Sequence, residues 1–185
     1  NGQQPYPSNL LASDIYRLRT VFPFIKVNVI GESVLGKPLY ELRIGRGPTV
    51  VHMNGSFHAN EWITTPILMQ TLNTYLLALT NTAPIRGLNV SRFYDSVTLS
   101  IVPMVNPDGV DLVIDGPPEQ EPYRSEVIEL NQGSLNFSTW KANIRGVDLN
   151  NQYPALWEEE TLVKPDEPGP RDYPGTEPLT EPAAI

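Results

Sequence analysis

Apolar residues at Leu10, Leu11, Ile15, Leu18 and Val21 recur at the three-to-four spacing of an amphipathic helix, which predicts a helix over Ser8–Val21 that ends before Pro23. Ser13-Asp14 supplies a cap for its second half. From Ile25 the period shortens. Val27 and Val29, then Leu39, Leu42 and Ile44, flank Gly31–Pro38 and predict two strands joined by a Gly-containing connection. Thr49-Val50-Val51-His52-Met53 predicts a third strand, buried and central. Trp62, Ile63, Ile67, Leu68, Leu72, Tyr75, Leu76 and Leu79 then lay out a long apolar helical face, in which Pro66 is tolerable only near the first turn. Val97–Met104 is another β-branched run. The succession strand, helix, strand implies a parallel crossover, hence an α/β fold with a mixed, largely parallel sheet flanked by helices.

Beyond Asp111 the periodicity fades, and Gly116-Pro117-Pro118-Glu119 and Gly133-Ser134 predict a loop-rich stretch. Seven of the 19 prolines fall at or after Pro154, which predicts an extended surface segment or a frayed terminus over 154–185. With 185 residues, 40% of them hydrophobic, one globular domain is the expectation. No apolar run is long enough for a membrane span, and Asn1-Gly2-Gln3-Gln4-Pro5 lacks the basic-then-apolar signature of a leader.

The net charge of −8 is concentrated: residues 1–153 hold 11 basic and 13 acidic side chains, whereas 154–185 hold 2 and 8. An acidic chain without a basic patch argues against a nucleic-acid partner, because phosphate neutralisation needs clustered Lys and Arg. The acidic tail reads most simply as a solvated loop. The absence of cysteine removes disulfides, thiolate metal sites and cysteine nucleophiles, so any metal must be held by His and carboxylate.

Those two residue types meet in His58-Ala59-Asn60-Glu61, which directly follows the Thr49–Asn54 strand and opens the long helix. A His and a Glu three apart can hold one Zn²⁺, but a catalytic zinc takes three protein ligands. By itself the spacing is equally that of a surface His beside a capping Glu. The chain's other histidine, His52, lies about 20 Å from His58 if the intervening residues are extended. His52 is therefore expected to be a strand-core or outer-shell residue rather than a ligand. Asn106-Pro107-Asp108-Gly109 follows the Val97–Met104 strand and reads as a turn. Arg145-Gly146-Val147-Asp148-Leu149-Asn150-Asn151 offers a guanidinium and two amides, groups suited to polarising a carbonyl and holding a carboxylate.

Taken together, Gly31-x-Ser33-x-x-Gly36-Lys37-Pro38-Leu39-Tyr40, His58-x-x-Glu61-Trp62-Ile63-Thr64, Asn106-Pro107-Asp108-Gly109 and Gly146-Val147-Asp148-Leu149-Asn150 resemble the zinc carboxypeptidases. The surroundings of Trp140-Lys141-Ala142-Asn143 and Trp157-Glu158-Glu159-Glu160 look most like the bacterial γ-D-glutamyl-diaminopimelate peptidases. The resemblance implies that His58 and Glu61 are zinc ligands, that Arg145 polarises the scissile carbonyl and that Asn150 grips a substrate carboxylate. Asn151 stands where ordinary carboxypeptidases carry an arginine, and an amide cannot supply the charged bidentate fork of a guanidinium. Simple C-terminal exopeptidase action is thus less well supported than action on a murein peptide, which implies an extracellular or cell-wall setting.

The family's third ligand, a histidine, and its general base, a glutamate, are expected further along than Ile185. Residues 1–185 are accordingly expected to be the N-terminal portion of a single catalytic domain, completed by a C-terminal part or a second chain. The alternatives are a non-catalytic peptide-binding fragment or pseudo-enzyme, and a zinc acylase of N-acyl amino acids.

Overall fold

The computed structural model describes residues 4–184, so the first three residues and Ile185 of the terminal readings above lie outside the described residues. Four strands form one mixed sheet in the order β1-β2-β4-β3: β1 (Lys26–Glu32), β2 (Pro38–Gly45), β3 (Thr49–Asn54) and β4 (Val97–Val102). The β1–β2 and β2–β4 pairs are antiparallel; β3 and β4 are parallel, with His52 opposite Ser100. The predicted crossover is present. Between β3 and β4 run α2 (Thr64–Thr80) and α3 (Val90–Ser96), and α1 (Ser8–Val21) precedes the sheet as one uninterrupted helix, with Ser13 inside it rather than at a cap.

The main core forms where Leu11 and Ile15 of α1 and Leu72 and Leu76 of α2 meet Leu42, Ile44, Leu99 and Ile101 on one face of the sheet. Pro66 falls in the first turn of α2, where its missing N–H breaks no helical bond. A second cluster packs Ala59, Leu112, Val127, Phe137, Trp140, Ala142 and Ile144. It is this cluster that fixes the loop after β3 against the chain near residue 140.

Because strand side chains alternate, the residues between the core positions of β2 and β4 face the other way. There, one carboxylate gathers the sheet's polar groups. Glu41 accepts hydrogen bonds from Ser100 Oγ at 2.7 Å, Asn28 Nδ2 at 2.9 Å and Arg43 Nη1 at 2.9 Å, and His52 Nδ1 lies 3.1 Å from Ser100 Oγ. Burial pushes the Glu41 carboxyl up, but the bonds from Ser100, Asn28 and Arg43 outweigh it and hold the group below its ordinary value. A depressed carboxyl stabilises the fold above its unfolded-state pKa and loses that contribution as pH falls through the folded value. Ser100→Ala is therefore expected to cost about 1 kcal/mol at neutral pH and progressively less on acidification through that range, measured by urea unfolding across pH. A pH-independent cost would show that the serine acts through packing.

Three expectations are corrected. First, β3 is not a buried central strand: among the described residues it is an edge, with Thr49–His52 exposed, Val50 by 52% and Val51 by 39%. A β-branched run is equally compatible with a core and an edge position, and periodicity does not separate them. His52 is accordingly an exposed residue with one serine contact, not a core histidine.

Second, Asn106-Pro107-Asp108-Gly109 is a helix start rather than a free turn: Asn106 caps α4 (Pro107–Asp115), its Oδ1 accepting from Gly109 N at 3.0 Å, with Pro107 in the first turn. α5 (Tyr123–Leu130) also interrupts the predicted loop. It is only eight residues long and owes its place to buried Val127, too little for a periodic signal.

Third, the proline-rich stretch is pinned rather than frayed. It carries α6 (Trp157–Thr161) and a 3-10 turn at Pro182–Ala184, and Gln152, fully buried, fastens it. Gln152 Oε1 accepts from Thr180 N at 2.9 Å, Thr180 Oγ1 at 3.0 Å and Glu181 N at 3.0 Å; its Nε2 donates to the carbonyls of Pro174 and Glu177. No described helix is long and apolar enough to cross a membrane.

Candidate active site

The segment linking β3 to α2 lies along the rim formed by the C-terminal ends of the parallel pair, the edge at which open α/β sheets place their ligands. Ser56 adopts a left-handed backbone conformation (φ 52°), and its amide donates to Thr64 Oγ1 at 2.8 Å, so the turn is stapled to the helix it enters. His58 then precedes a 3-10 turn over Ala59–Glu61, whose Ala59 is buried in the second cluster. That turn is gripped by main chain: Ala59 N donates to Lys141 O and Asn60 N to Trp140 O, both at 3.0 Å.

Asn106 tightens the same junction. Its Nδ2 donates to Phe57 O at 3.2 Å and Ala142 O at 3.0 Å, joining the residue before His58 to the segment after Trp140. A Cβ at Gly109 would fall 2.6–2.7 Å from the Asn106 amide and 2.7 Å from Ala142 O, so only glycine lets the helix approach this closely.

His58 and Glu61 are brought together as the spacing predicts, with Nδ1 3.1 Å from Glu61 Oε1. Glu61 is half exposed, whereas only 19% of the His58 side chain is. The other imidazole nitrogen, Nε2, lies 3.3 Å from Oδ1 of Asp148, a carboxylate that is 2% exposed. Asp148 is itself held by Asn150 N on Oδ1 at 3.1 Å and Asp172 N on Oδ2 at 3.2 Å. A carboxylate facing Nε2 favours the tautomer with its proton there, which leaves a lone pair on Nδ1 aimed at Glu61. A lone pair facing a carboxylate calls for a cation between them. The two donors therefore suit a proton or a metal ion, and their chemistry, imidazole nitrogen plus carboxylate oxygen, is that of zinc ligands. Among the described residues no group of three or more such donors is assembled, so the pair amounts to two ligand positions.

Arg145 sits on a tight turn in which Asn143 Oδ1 accepts from Arg145 N at 2.9 Å and Val147 N at 3.0 Å. Its guanidinium is 45% exposed and lies 3.5 Å from Glu181 Oε2, a buried carboxylate that also accepts from Asn143 Nδ2 at 2.7 Å. Asn150 is exposed. Asn151 is partly buried, its Nδ2 donating to Asp172 O at 3.2 Å and its Oδ1 accepting from Lys164 Nζ at 2.6 Å. Asp148, Asn106 and Lys164 carry none of the roles anticipated from sequence. Asp148 was within reach, lying two residues before Asn150 in a motif already singled out; Lys164 was not, because its partner is 13 residues away across a stretch without periodicity.

An α/β sheet with an imidazole and a carboxylate converging on its C-terminal rim, the imidazole oriented by a buried aspartate, defines a metallohydrolase-like framework. Residues 12–185 match the zinc carboxypeptidases, and the chain belongs to that family. It is 56% identical to a gamma-D-glutamyl-L-diamino acid endopeptidase 1 of Lysinibacillus sphaericus over 185 residues, all of this chain and 47% of that protein. It is 47% identical over 182 residues to the uncharacterized protein YqgT of Bacillus subtilis (strain 168), covering 97% of this chain and 48% of that one. The chain thus spans about half the length of the curated relatives it matches. The solved structure of thrombin-activatable fibrinolysis inhibitor superposes with a TM-score of 0.71 at 18% identity, over 99% of this chain and 42% of that one. The carboxypeptidase A of Helicoverpa armigera gives 0.67 at 19%, over 100% and 41%. At such identities the likeness is one of fold, and it bears out the mixed sheet flanked by helices.

Proposed function

We propose that this chain is the N-terminal portion of the catalytic domain of a zinc peptidase that hydrolyses an amide bond in bacterial cell-wall peptides of the γ-D-glutamyl-diamino acid type. The observation that carries this reading is the 56% identity, over the whole chain, to a protein named for that cleavage. In it, His58 and Glu61 hold the metal, and zinc, when bound, supplies Lewis acidity toward a carbonyl and acidifies water. Asp148 keeps the His58 ring in the orientation and tautomer that the ligand role needs.

Arg145 faces the carbonyl oxygen of the scissile amide. Its charge is braced by Glu181, so the guanidinium is held in place before substrate arrives, which is what an oxyanion donor requires. Asn150, exposed beside Asp148, offers its amide to a substrate carboxylate, and Asn151 shapes the same rim. The proline-rich acidic segment after Pro154 touches these groups through Lys164 on Asn151 and Glu181 on Arg145, and the second half of the polypeptide supplies the remaining ligand and the base.

The test is hydrolysis by the full-length polypeptide of γ-D-glutamyl-diaminopimelate peptides against ordinary peptides with C-terminal α-linked residues. The expected result is cleavage of the γ-linked peptides, lost on chelation and restored by zinc. Cleavage of only the α-linked set would overturn the substrate class, and full activity in chelator would overturn the metal.

A further inference from the structure

Asn151 by itself is a weak reader of a carboxylate, since its amide carries no charge. The structure places a charge on it. Lys164 Nζ donates to Asn151 Oδ1 at 2.6 Å, and the same ammonium lies against the carboxylate of Glu160. With Asn151 Nδ2 also engaged by Asp172 O, both ends of that amide have internal partners. What Asn151 can present to a ligand is therefore less its own amide than the cation it orients.

Lys164 is unusual in its surroundings. It and Arg171 are the two basic residues of 154–185, against eight acidic ones. Most of those acids are turned to solvent, but the lysine side chain is only 23% exposed and reaches back to the rim. Its backbone is placed by α6: Lys164 N donates to Glu160 O at 3.1 Å, and Trp157 Nε1 donates to Pro174 O at 3.4 Å, which ties the helix to the strap fastened by Gln152. On the other side, Asn151 closes a 3-10 turn whose N-cap is Asp148, the residue facing His58. The cation is thus connected to His58 through three links: its bond to Asn151, the 3-10 turn back to Asp148, and the Asp148 contact with the imidazole.

We infer that Lys164 is a specificity-determining residue: a partly desolvated ammonium, oriented by Asn151 and held by Glu160, that binds a free carboxylate on the diamino-acid side of the substrate. This rests on the peptidase reading for the identity of the substrate, not for the charge. An ammonium has three N–H donors, and only one is spent on a hydrogen bond, to Asn151, beside the charge contact with Glu160, which leaves a donor for a ligand. Unlike a guanidinium, it reads the carboxylate as a point charge without a bidentate fork, so it tolerates more than one placement of that group. Glu160 is at once the strut and the competitor, and this gives the proposal a prediction of unusual sign.

The experiment is calorimetric binding of γ-D-glutamyl-diaminopimelate and of its diaminopimelate bisamide to the full-length polypeptide kept metal-free by chelator, so that nothing is cleaved. Lys164→Gln is expected to weaken the free acid by roughly tenfold or more and leave the amide unchanged, while Lys164→Arg retains the preference for the acid. Glu160→Gln is expected to tighten the free acid severalfold by removing the competing carboxylate. Melting curves on each variant separate this from unfolding. Equal weakening of acid and amide, or tightening of neither by Glu160→Gln, would reduce Lys164 to a structural strut and overturn the inference. A wild type that discriminates acid from amide but cleaves neither with zinc restored would leave Lys164 as carboxylate reader and sink the peptidase reading instead.

Discussion

Glu61→Gln is expected to weaken zinc binding far more than loss of any residue that only orients a ligand. On the proposed reading the carboxylate contributes both a donor atom and the negative charge that balances the metal, and an amide of the same shape keeps neither the charge nor the basicity. Loss of an outer-shell partner gives the scale: Asp148→Asn, which preserves the ring's neighbour but not its charge, is expected to cost roughly 10–100-fold in affinity. Glu61→Gln, which removes a ligand itself, should exceed that range in the full-length polypeptide, with hydrolysis falling in parallel. Competition against a chromophoric chelator measures both variants. Wild-type affinity in Glu61→Gln would remove Glu61 from the ligand set, and a larger loss in Asp148→Asn than in Glu61→Gln would mean that His58 orientation, not ligand count, dominates.

Gln152→Leu is expected to be the most damaging substitution for stability. The leucine matches the volume but leaves three donors that now end on Oε1, from Thr180 N, Thr180 Oγ1 and Glu181 N, and the carbonyls of Pro174 and Glu177. Two of those donors are backbone amides that cannot turn away, and each buried group left unpaired costs about 1–3 kcal/mol. A total loss of roughly 4 kcal/mol by urea unfolding is expected, together with rapid proteolysis between residues 174 and 181. Gln152→Glu keeps Oε1 and should retain part of the stability. A cleavage pattern unchanged from wild type would show that the segment is held by something other than this side chain.

The reach of sequence reading differs along the chain for physical reasons. α1, α2 and β2 are legible because each buries one stripe or one face, and burial leaves a period in the sequence, whereas β1, β3 and β4 are legible as short β-branched runs between turn residues. Whether β3 is interior or marginal left no such mark, since Val50 and Val51 suit either environment. The contact between His58 and Glu61 is legible through local spacing, as both sit within one turn. The Asp148 contact with His58 joins residues 90 positions apart and was visible only once the segment after Trp140 had been laid against Ala59 and Asn60. Gln152 is the extreme case. A glutamine just ahead of a proline-rich stretch looks like solvent-facing filler, and nothing in composition separates it from one that is fully enclosed and holds five partners. The order of the tail leaves no period because it comes from hydrogen bonds to one side chain rather than from an apolar repeat.

The free edge of the sheet has a consequence for handling the molecule. At the opposite margin, β1 is blunted by an irregularity between Val29 and Gly31 and begins and ends on charged residues, Lys26 and Glu32. β3 carries no Lys, Glu, Asp or Pro over Thr49–Asn54, and two of its valines face solvent. An unguarded row of amides and carbonyls of this kind invites addition of another strand. Among the described residues β3 is the strand open to such addition, so self-association of the 185-residue chain is expected to rise with concentration and Val51→Lys to suppress it, measured by sedimentation.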